Sequence, residues 1–571
     1  MESRLAQLAA AVGPLRRVLA ALAARWIETR GHERLCYARL SDYARERPGV
    51  SARQLQELAR VGRALRDLPR LERALVANEL PWSKVRLLVR VLEASQGDEE
   101  TWIALARVLS TQRLERAVRE HAGTAVAHDP EREPTTRLTV RCSPAVLEKW
   151  LIAREFAERV AGQRLRAADA LELVAAEVFS AISIEPRFVD TPEAPFPREP
   201  LEDTDPEDEP RPCPRASARE LPHAVASLAQ GLDEADAFEL DRRLCQAVHL
   251  EQTLDAAIAP LLRVVTAAEY EWTDCYQPLA RYAPESLGMS ARKARALIRL
   301  ERASEVCPEL RDAYRSGRLS WVKAHCLLPL LLLDVDGEHR PIWVSWAERV
   351  TVRRLERDVE RALLLRAAHD RAWFRCKLDP ERAQDPIPPE ERQMCAHDVD
   401  PEATQALVFR VPLDVAALFR GVRETLRHGL ERASDGPVYD GDVFDAILDG
   451  ALLSWTLRDP RARRPDPVAE RDGYRCAVPG CTSRCNHHDH HITYRSRGGS
   501  DAQDNRVLLC AFHHRRCLHA GLMRISGQAP DGLLFELGLR SARGPLAVYR
   551  SGDVLASPAC GGVDAALEQA A

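Results

Sequence analysis

The sequence lacks an uninterrupted apolar stretch of the kind that targets a protein to a membrane or anchors it there. The N-terminal segment MESRLAQLAAAVGPLRRVLAALAARW is rich in Ala and Leu, but arginines at positions 4, 16, 17 and 25 interrupt it. It therefore lacks the continuous apolar centre of a signal peptide. The run LLPLLLLDV, which begins at Leu327, is too short to span a bilayer. We expect a cytoplasmic protein that makes no membrane contact.

Aromatic residues are also scarce, at 5% of the 571 residues, whereas Ala, Leu, Arg and Glu are abundant. These four residues favour amphipathic helices. A chain of this length exceeds what one hydrophobic core usually organises, so roughly three or four domains are expected. The composition therefore predicts a mainly α-helical protein.

Paired cysteines are absent from most of the chain. The sequence has 15 cysteines, and several stand alone in segments with a helical pattern, among them Cys36, Cys245, Cys307 and Cys326. One dense group lies near the C-terminus and consists of Cys476, Cys481, Cys485, Cys510 and Cys517. This distribution is typical of a reducing compartment and a single metal site, and it argues against a disulfide framework.

An excess of positive charge is missing as well, since the formal net charge is −5. The charge is unevenly distributed, however, because nine arginines and only four aspartates lie between Arg471 and Arg524. A locally basic region on an acidic chain indicates a localised contact with a polyanion, and it argues against a nonspecific coat on nucleic acid.

The chain contains an internal repeat. The segment that begins at Cys36 aligns without gaps on the segment that begins at Cys275, and weaker matches follow from Leu114 on Leu355 and from Arg137 on Ala406. The shared positions are Tyr37 and Tyr276, Leu40 and Leu279, Tyr43 and Tyr282, Gly49 and Gly288, Ser51 and Ser290, Arg53 and Arg292, Pro69 and Pro308, Leu80 and Leu319, Trp82 and Trp321, Lys84 and Lys323.

The repeat predicts two helical modules, residues 1–185 and 223–460, joined by a linker at 186–222 that is rich in Pro, Asp and Glu. Ser51 and Ser290 are expected to cap the N-terminus of a helix in each module. The alternating segments TRLTVRC and LVFRV each predict one strand. The shared tryptophans are expected to pack in the cores.

The C-terminal cysteines have the spacing of zinc ligands. Cys476 and Cys481 enclose the turn CAVPGC, which we call the knuckle, and Cys510 and His513 are two residues apart in CAFH. Two such pairs can converge on one tetrahedral zinc ion. The alternative is that the thiols are reduced and buried as small apolar groups. Cys485 and Cys517 remain spare candidates that could replace one of these four ligands.

The adjoining histidines carry a resemblance to a known family. The segment DHHITYRSRGGSDAQDNRVLLCAFHHRRCLHAG, from Asp489 to Gly521, resembles the ββα-metal finger of the HNH nucleases. In that family a histidine pair ends one strand, a Gly-Gly loop follows, an Asn precedes the helix, and helical histidines complete a metal site. The matching residues are His490 and His491, Gly498 and Gly499, Asn505, His514 and His519. The helical part resembles, more faintly, domains of unknown function that often precede such modules.

The resemblance implies a fold and a set of roles. Residues 461–571 would form a small zinc-braced HNH domain with a C-terminal tail. His491 would accept a proton from water, and Asn505 would brace the loop that orients His491. His490 and His514, with or without His519, would hold a catalytic divalent cation, which is Mg²⁺, Mn²⁺, Ni²⁺ or Zn²⁺. Arg495, Arg497, Arg515 and Arg516 would contact nucleic-acid phosphates.

The sequence departs from the common family pattern in three respects. Many relatives have Asp at the position of His490 and Cys at that of His513, and both exchanges preserve a ligand. Four residues separate His514 from His519, which does not match one α-helical turn, so the spacing leaves His519 open as a ligand. No family role belongs to His487 or His488.

Three functions remain open from the sequence. The leading one is a metal-dependent endonuclease that hydrolyses phosphodiester bonds in DNA, with RNA not excluded as the substrate. The second is a zinc-braced nucleic-acid-binding module whose catalytic centre has lapsed, although His491, Asn505 and His514 are all present. The third is a helical scaffold for protein interactions, which would explain the repeat but not the histidines. The target sequence and the oligomeric state are not readable.

Overall fold

The structure is a computed structural model that describes residues 2–95, 98–123, 135–163, 165–181, 222–267, 279–334, 337–368, 405–434, 436–458, 467–484, 486–540 and 544–557, with the isolated positions 380, 400, 402 and 403. The predicted linker at 186–222 lies outside the described residues except for its last residue, and so does Cys485.

The described residues are mainly helical, as the composition predicted. The helices are α1 (Glu2–Glu28), α2 (Gly31–Arg34), α3 (Leu40–Glu46), α4 (Ala52–Asp67), α5 (Pro69–Val76), α6 (Trp82–Ser95), α7 (Glu99–Val108), α8 (Thr111–Gly123), α9 (Pro144–Ala161), α10 (Ala167–Ala181), α11 (His223–Ala226), α12 (Ala237–Ala267), α13 (Leu279–Ser286), α14 (Ala291–Val306), α15 (Pro308–Arg315), α16 (Trp321–Leu333), α17 (Arg340–Arg349), α18 (Val352–Ala368), α19 (Leu413–Ala433), α20 (Asp440–Arg458) and α21 (Pro467–Arg471).

The two predicted helix caps are confirmed. The Ser51 hydroxyl accepts a hydrogen bond from the N–H of Gln54 at 3.1 Å, and the Ser290 hydroxyl accepts one from Lys293 at 3.2 Å. Each serine thereby satisfies an N–H group that the first helical turn would otherwise leave unpaired. The two helices that follow, α4 and α14, both have 16 residues, and each is succeeded by an eight-residue helix that begins with proline.

The two predicted strands also form, and they pair with each other. Strand β1 (Thr135–Cys142) runs antiparallel to β2 (Gln405–Pro412), with Thr139 opposite Val408. Burial alternates along both strands, because one face of this two-stranded sheet covers a hydrophobic core. That core combines residues 140–178 with residues 409–455 and includes Trp150.

Helix α1 is central to a second core, in which residues 15–118 and 225–250 pack around Trp26. Among the described residues, α1 is the one helix long and apolar enough to cross a membrane by length and composition, but 61% of its apolar window is buried. It packs mainly against α4 and α12. The buried clusters thus draw on both predicted modules, and the module boundaries themselves stay predictions.

The C-terminal region consists of short strands and one unusual helix. Strand β3 (His487–His491) pairs antiparallel with β4 (Arg506–Cys510), and a π-helix follows at Phe512–Leu518. We call residues 487–519 the finger. Beyond it lies a four-stranded antiparallel sheet made of β5 (Met523–Ser526), β6 (Leu534–Leu537), β7 (Ala547–Arg550) and β8 (Val554–Ser557). The sequence did not predict this sheet.

Candidate metal centre and histidine cluster

The four predicted zinc ligands come together. The ligand atoms of Cys476, Cys481, Cys510 and His513 all lie within 4.8 Å of one another, and all four residues are buried. His513 Nδ1 is 3.4 Å from the Cys476 sulfur and 3.2 Å from the Cys510 sulfur. Ligands of a tetrahedral zinc ion stand roughly 3.5 Å apart, given Zn–S and Zn–N bonds of about 2.3 and 2.0 Å. This group can therefore hold a metal ion such as zinc.

Local backbone geometry explains why the two pairs converge. Gly480 adopts φ 74° in the knuckle, a left-handed conformation that favours glycine, and the N–H of Cys481 donates to the carbonyl of Val478 at 3.1 Å. Cys510 is the last residue of β4, and His513 lies in the first turn of the π-helix. The knuckle is joined to β4 by a hydrogen bond from the Ala477 N–H to the Leu508 carbonyl at 2.9 Å.

The orientation of His513 is fixed from the opposite end of the chain. Its Nε2 lies 2.9 Å from the carbonyl oxygen of Cys36. A carbonyl can only accept, so Nε2 carries the proton and the Nδ1 lone pair faces the three sulfurs. Hydrogen bonds of this kind hold metal-ligating histidines in place. Cys517, a substitute ligand by sequence, is not one of the four residues of this group.

Helix α18 is also attached to the knuckle. Arg353 donates to the carbonyl oxygens of Cys476, at 3.3 Å, and Cys481. The same guanidinium donates from Nε to the carboxylate of Asp553 at 3.1 Å, and the N–H of Gly480 donates to that carboxylate at 2.8 Å. The predicted metal centre is therefore enclosed by groups from the N-terminal helices, from α18 and from the C-terminal sheet.

A second group of imidazoles lies on the finger. His490, 5% exposed, has its ring centroid 5.2 Å from that of His514 and 6.2 Å from that of His519. His488 stacks on His514 at 4.9 Å. We call these four residues the histidine cluster. His488, which had no role by sequence, belongs to it, whereas His487 lies apart with its Nε2 3.2 Å from the carbonyl of Ser483.

The π-helix explains the spacing that left His519 open. Its backbone bonds run over five residues, and the N–H of His519 reaches the carbonyl of His514 at 3.2 Å. Residues five apart therefore lie above one another, as residues three or four apart do in an α-helix. The two Nε2 atoms lie 3.2 Å apart. The five-residue period of the π-helix therefore brings the imidazoles of His514 and His519 together.

The ligand atoms of the histidine cluster do not all lie as close together as those of the cysteine group. Of the described residues, the Cys476–His513 group is the one set that brings three or more ligand atoms within 4.8 Å of one another. Burial, and then the neighbouring His514 and His519, lower the pKa of His490 to about 4. His490 is therefore neutral at pH 7, the form in which imidazole binds metals.

His491 points to the opposite face of β3, as expected for adjacent strand residues. Its Nε2 lies 2.8 Å from the carboxylate of Asp501. Arg495 donates to the same carboxylate from Nε at 2.8 Å and lies 3.3 Å from His491 Nε2. The sequence reasoning assigned no role to Asp501, because a lone aspartate in a polar loop carries no spacing signal.

Asn505 ties the ends of the intervening loop together. Its side-chain oxygen accepts from the N–H of Thr493 at 2.8 Å, and its side-chain nitrogen donates to the carbonyls of Thr493 at 3.1 Å and Ser500 at 2.7 Å. Gly499 permits this closure, since a Cβ there would lie 1.8 Å from the Thr493 oxygen. These bonds match the brace that the resemblance implied, while the effect on His491 stays a prediction.

The four predicted phosphate-binding arginines are exposed on the finger. Arg495 is paired with Asp501, and Arg497 stacks over the ring of Tyr494 at 5.5 Å. Arg516 is 3.5 Å from the carboxylate of Glu33, so it faces the N-terminal helices.

The sequence matches no family model, no curated protein and no solved structure. The resemblance to the HNH nucleases therefore stays a prediction from its motif. Sequence reasoning missed Cys36, Arg353 and Asp501, which contact the candidate sites through tertiary structure that no local pattern indicates.

Proposed function

We propose that the protein is a metal-dependent endonuclease of the HNH type that hydrolyses phosphodiester bonds in DNA. The observation that carries the proposal is the division of β3 into two faces. His490 joins the histidine cluster on one face, and His491 is held by Asp501 on the other. An imidazole on each face suits a metal ligand and a proton acceptor that must approach one phosphate together.

His491 is the proposed general base. The Asp501 carboxylate at 2.8 Å accepts a hydrogen bond, so Nε2 carries a proton and Nδ1 is free to take one from water. Asp501 would thus position the ring without touching the substrate. The Asn505 brace sets the path of the chain between these two residues. A positioned base of this type contributes on the order of 10²–10⁴-fold to the rate.

His490, His514 and His519 are the residues that would hold a catalytic divalent cation. Such a cation supplies positive charge for the developing negative charge on the phosphate and leaving oxygen. The three donors are all imidazoles, which suit Zn²⁺ and Ni²⁺ better than Mg²⁺ or Mn²⁺, since these two prefer oxygen ligands. The substrate phosphate would approach this cation, and the exposed Arg515, which follows His514 in the sequence, would contact it.

The competing reading is a zinc-braced module that binds nucleic acid without cleaving it. It shares the cysteine group and the exposed arginines with the proposed enzyme. A module that only binds nucleic acid does not require a hydrogen bond between His491 and the Asp501 carboxylate. Nor does it require a neutral His490. Both features favour catalysis.

We also propose that the two helical modules are a tandem duplication arranged about a local two-fold axis. Reciprocal contacts support this. Lys84 pairs with Glu285 at 2.8 Å, and the aligned residues Lys323 and Glu46 also lie near each other. Each lysine also donates to a backbone carbonyl of its own module, at 3.1 and 2.8 Å.

Each of these two glutamates also accepts a hydrogen bond from the first residue of a helix in the other module. Glu285 of the second module accepts from the N–H of Thr111 at the start of α8, and Glu46 of the first accepts from Val352 at the start of α18 at 2.9 Å. In the shared sheet, the aligned positions Thr139 and Val408 lie directly opposite each other. This register is the one expected if a two-fold axis passes between these two residues.

The decisive experiment is plasmid nicking by full-length protein with added Zn²⁺, Ni²⁺, Mn²⁺ or Mg²⁺. We expect His491→Ala to lose about 10²–10⁴-fold in rate while it keeps its zinc content and thermal unfolding midpoint. His487→Ala is the matched control, because His487 lies on the same strand outside the cluster. Wild-type protein that binds DNA but nicks it with none of the four metals would favour the binding module instead.

A further inference from the structure

A cavity of about 130 Å³ lies between helix α18, the knuckle and the C-terminal sheet. Three arginines line it: Arg353 and Arg357 from α18, and Arg475 immediately before the first knuckle cysteine. The rest of the lining is Asp472, Cys476, Ala477, Pro530, Leu533, Phe535, Ser551, Gly552 and Asp553. The cavity lies outside the histidine cluster, and the proposed reaction does not use it.

The two carboxylates of the lining are already occupied. Asp553 accepts from Arg353 at 3.1 Å and from a backbone N–H of the knuckle at 2.8 Å. Asp472 accepts from Arg471 at 2.7 and 3.0 Å and from a backbone N–H of β4 at 2.7 Å. Neither carboxylate bonds to Arg475. Three guanidiniums therefore share a cavity whose negative charges are largely neutralised.

Arg475 forms no hydrogen bond and no salt bridge with any residue in the described ranges, although it is half-buried. Arg353 and Arg357 both act on it with repulsive like charge. The N–H donors of Arg475 therefore have no protein acceptor in the described ranges and are available to an anion that enters the cavity.

We propose that this cavity binds a phosphate group. The guanidinium presents its N–H donors in a planar fork that matches two phosphate oxygens at once. The volume is several times the roughly 15 Å³ that one water molecule requires on this measure, so a tetrahedral anion has room. The phosphate belongs either to a small free phosphoanion or to a nucleic-acid backbone that passes the knuckle.

The cavity lies where helix α18 is attached to the knuckle. Arg353 contacts the cavity and also holds the carbonyls of Cys476 and Cys481. A bound phosphate would join α18 to the knuckle and so stabilise the attachment of the finger to the helical modules. This inference does not depend on the proposed nuclease activity.

The test uses full-length, zinc-loaded protein without added divalent cation. One arm titrates inorganic phosphate by calorimetry in chloride of equal ionic strength, and the other titrates a single-stranded thymidine 12-mer by fluorescence anisotropy. We expect Arg475→Met to weaken phosphate binding roughly ten- to hundredfold, the usual effect of losing a charged hydrogen-bond donor. Arg420→Met, an exposed arginine on α19, is the matched control.

Each outcome decides the question. Loss of phosphate binding in Arg475→Met but not in Arg420→Met identifies a small-anion site. Loss confined to the oligonucleotide arm identifies a backbone phosphate. Absence of binding by the wild type in both arms, or equal binding by both variants, overturns the proposal. If Arg475→Met loses zinc, Arg357→Gln, which is remote from the knuckle in sequence, is judged by the same criteria.

Discussion

Replacing Arg353 with Met should loosen the attachment of the C-terminal region to helix α18. The Arg353 side chain is 11% exposed and its partner Asp553 is 3% exposed. The substitution removes the ion pair between them and the hydrogen bonds to the carbonyls of Cys476 and Cys481. Met has a similar reach, so the change removes charge and donors more than volume.

The structure sets the expected magnitude. Breaking a buried ion pair by removing one partner typically costs about 3–5 kcal/mol, because the other charge stays buried. Burial alone raises the pKa of Asp553, but Arg353, then Arg475 and Arg357, outweigh it and lower the pKa below its ordinary value. Because Arg475 and Arg357 remain in the variant, we expect the lower end of the range, about 3 kcal/mol.

Hydrogen exchange measures this change locally, which matters for a chain with several cores that is not expected to unfold in two states. A loss of about 3 kcal/mol corresponds to roughly hundredfold faster exchange in peptides that cover residues 475–484. Arg420→Met should leave these peptides unchanged. Combining Arg353→Met with Asp553→Asn should cost less than the sum of the single changes, because neither member of this ion pair then stays buried as a charge without the other. Exchange less than threefold faster in Arg353→Met would refute the reasoning.

Two further predictions concern the metal centre. Cys510→Ser should lower the zinc content from one ion per chain to none and destabilise the finger, since structural zinc contributes folding free energy directly. Metal analysis measures the zinc content and a thermal scan measures the stability, with Cys326→Ser on α16 as the control. An unchanged zinc content would show that the ligand set is wrong. A fragment of residues 467–557 should bind zinc more weakly than the full chain and nick DNA poorly, because it lacks the Cys36 carbonyl and Arg353; equal zinc affinity in a competition assay would contradict this.

The sequence predicted the parts of the site that depend on local spacing. Cys476 and Cys481 lie in one turn, and Cys510 and His513 lie across one strand end, so their separation along the chain already restricts where their side chains can meet. The Ser51 and Ser290 caps were predictable for the same reason. The two-residue period likewise indicated β1 and β2, although it could not indicate that they pair with each other.

The remaining features depend on contacts between distant segments or on backbone choices that residue type does not determine. Cys36 lies 477 residues before His513, the side chain that it orients. The π-helix that unites His514 and His519 has no distinct composition, so an α-helical period was the natural assumption. Strands β5 to β8 have four residues each, which is too short for alternation to exceed chance.

If the two modules are a duplication, the C-terminal region (residues 467–557) packs against only one of two related surfaces, and the reason must lie in residues that differ between the modules. The answer lies at positions where the repeats differ. Asp42 accepts from the N–H of Thr482 at 3.2 Å and from its hydroxyl at 2.8 Å, whereas the aligned residue of the second module is Arg281.

The second attachment point differs in the same way. Arg353 pairs with Asp553, whereas the aligned residue of the first module is Gln112, which has no charge to offer that carboxylate. At the pseudo-symmetric surface, the C-terminal region would meet a cation where Asp42 provides an acceptor and an amide where Arg353 provides a guanidinium. Each mismatch would leave a polar group of the C-terminal region, half-buried Thr482 or buried Asp553, without its partner, and for a buried group this costs about 1–3 kcal/mol. Under the proposed duplication, the differences at these two positions would favour attachment of the C-terminal region to the surface that carries Asp42 and Arg353.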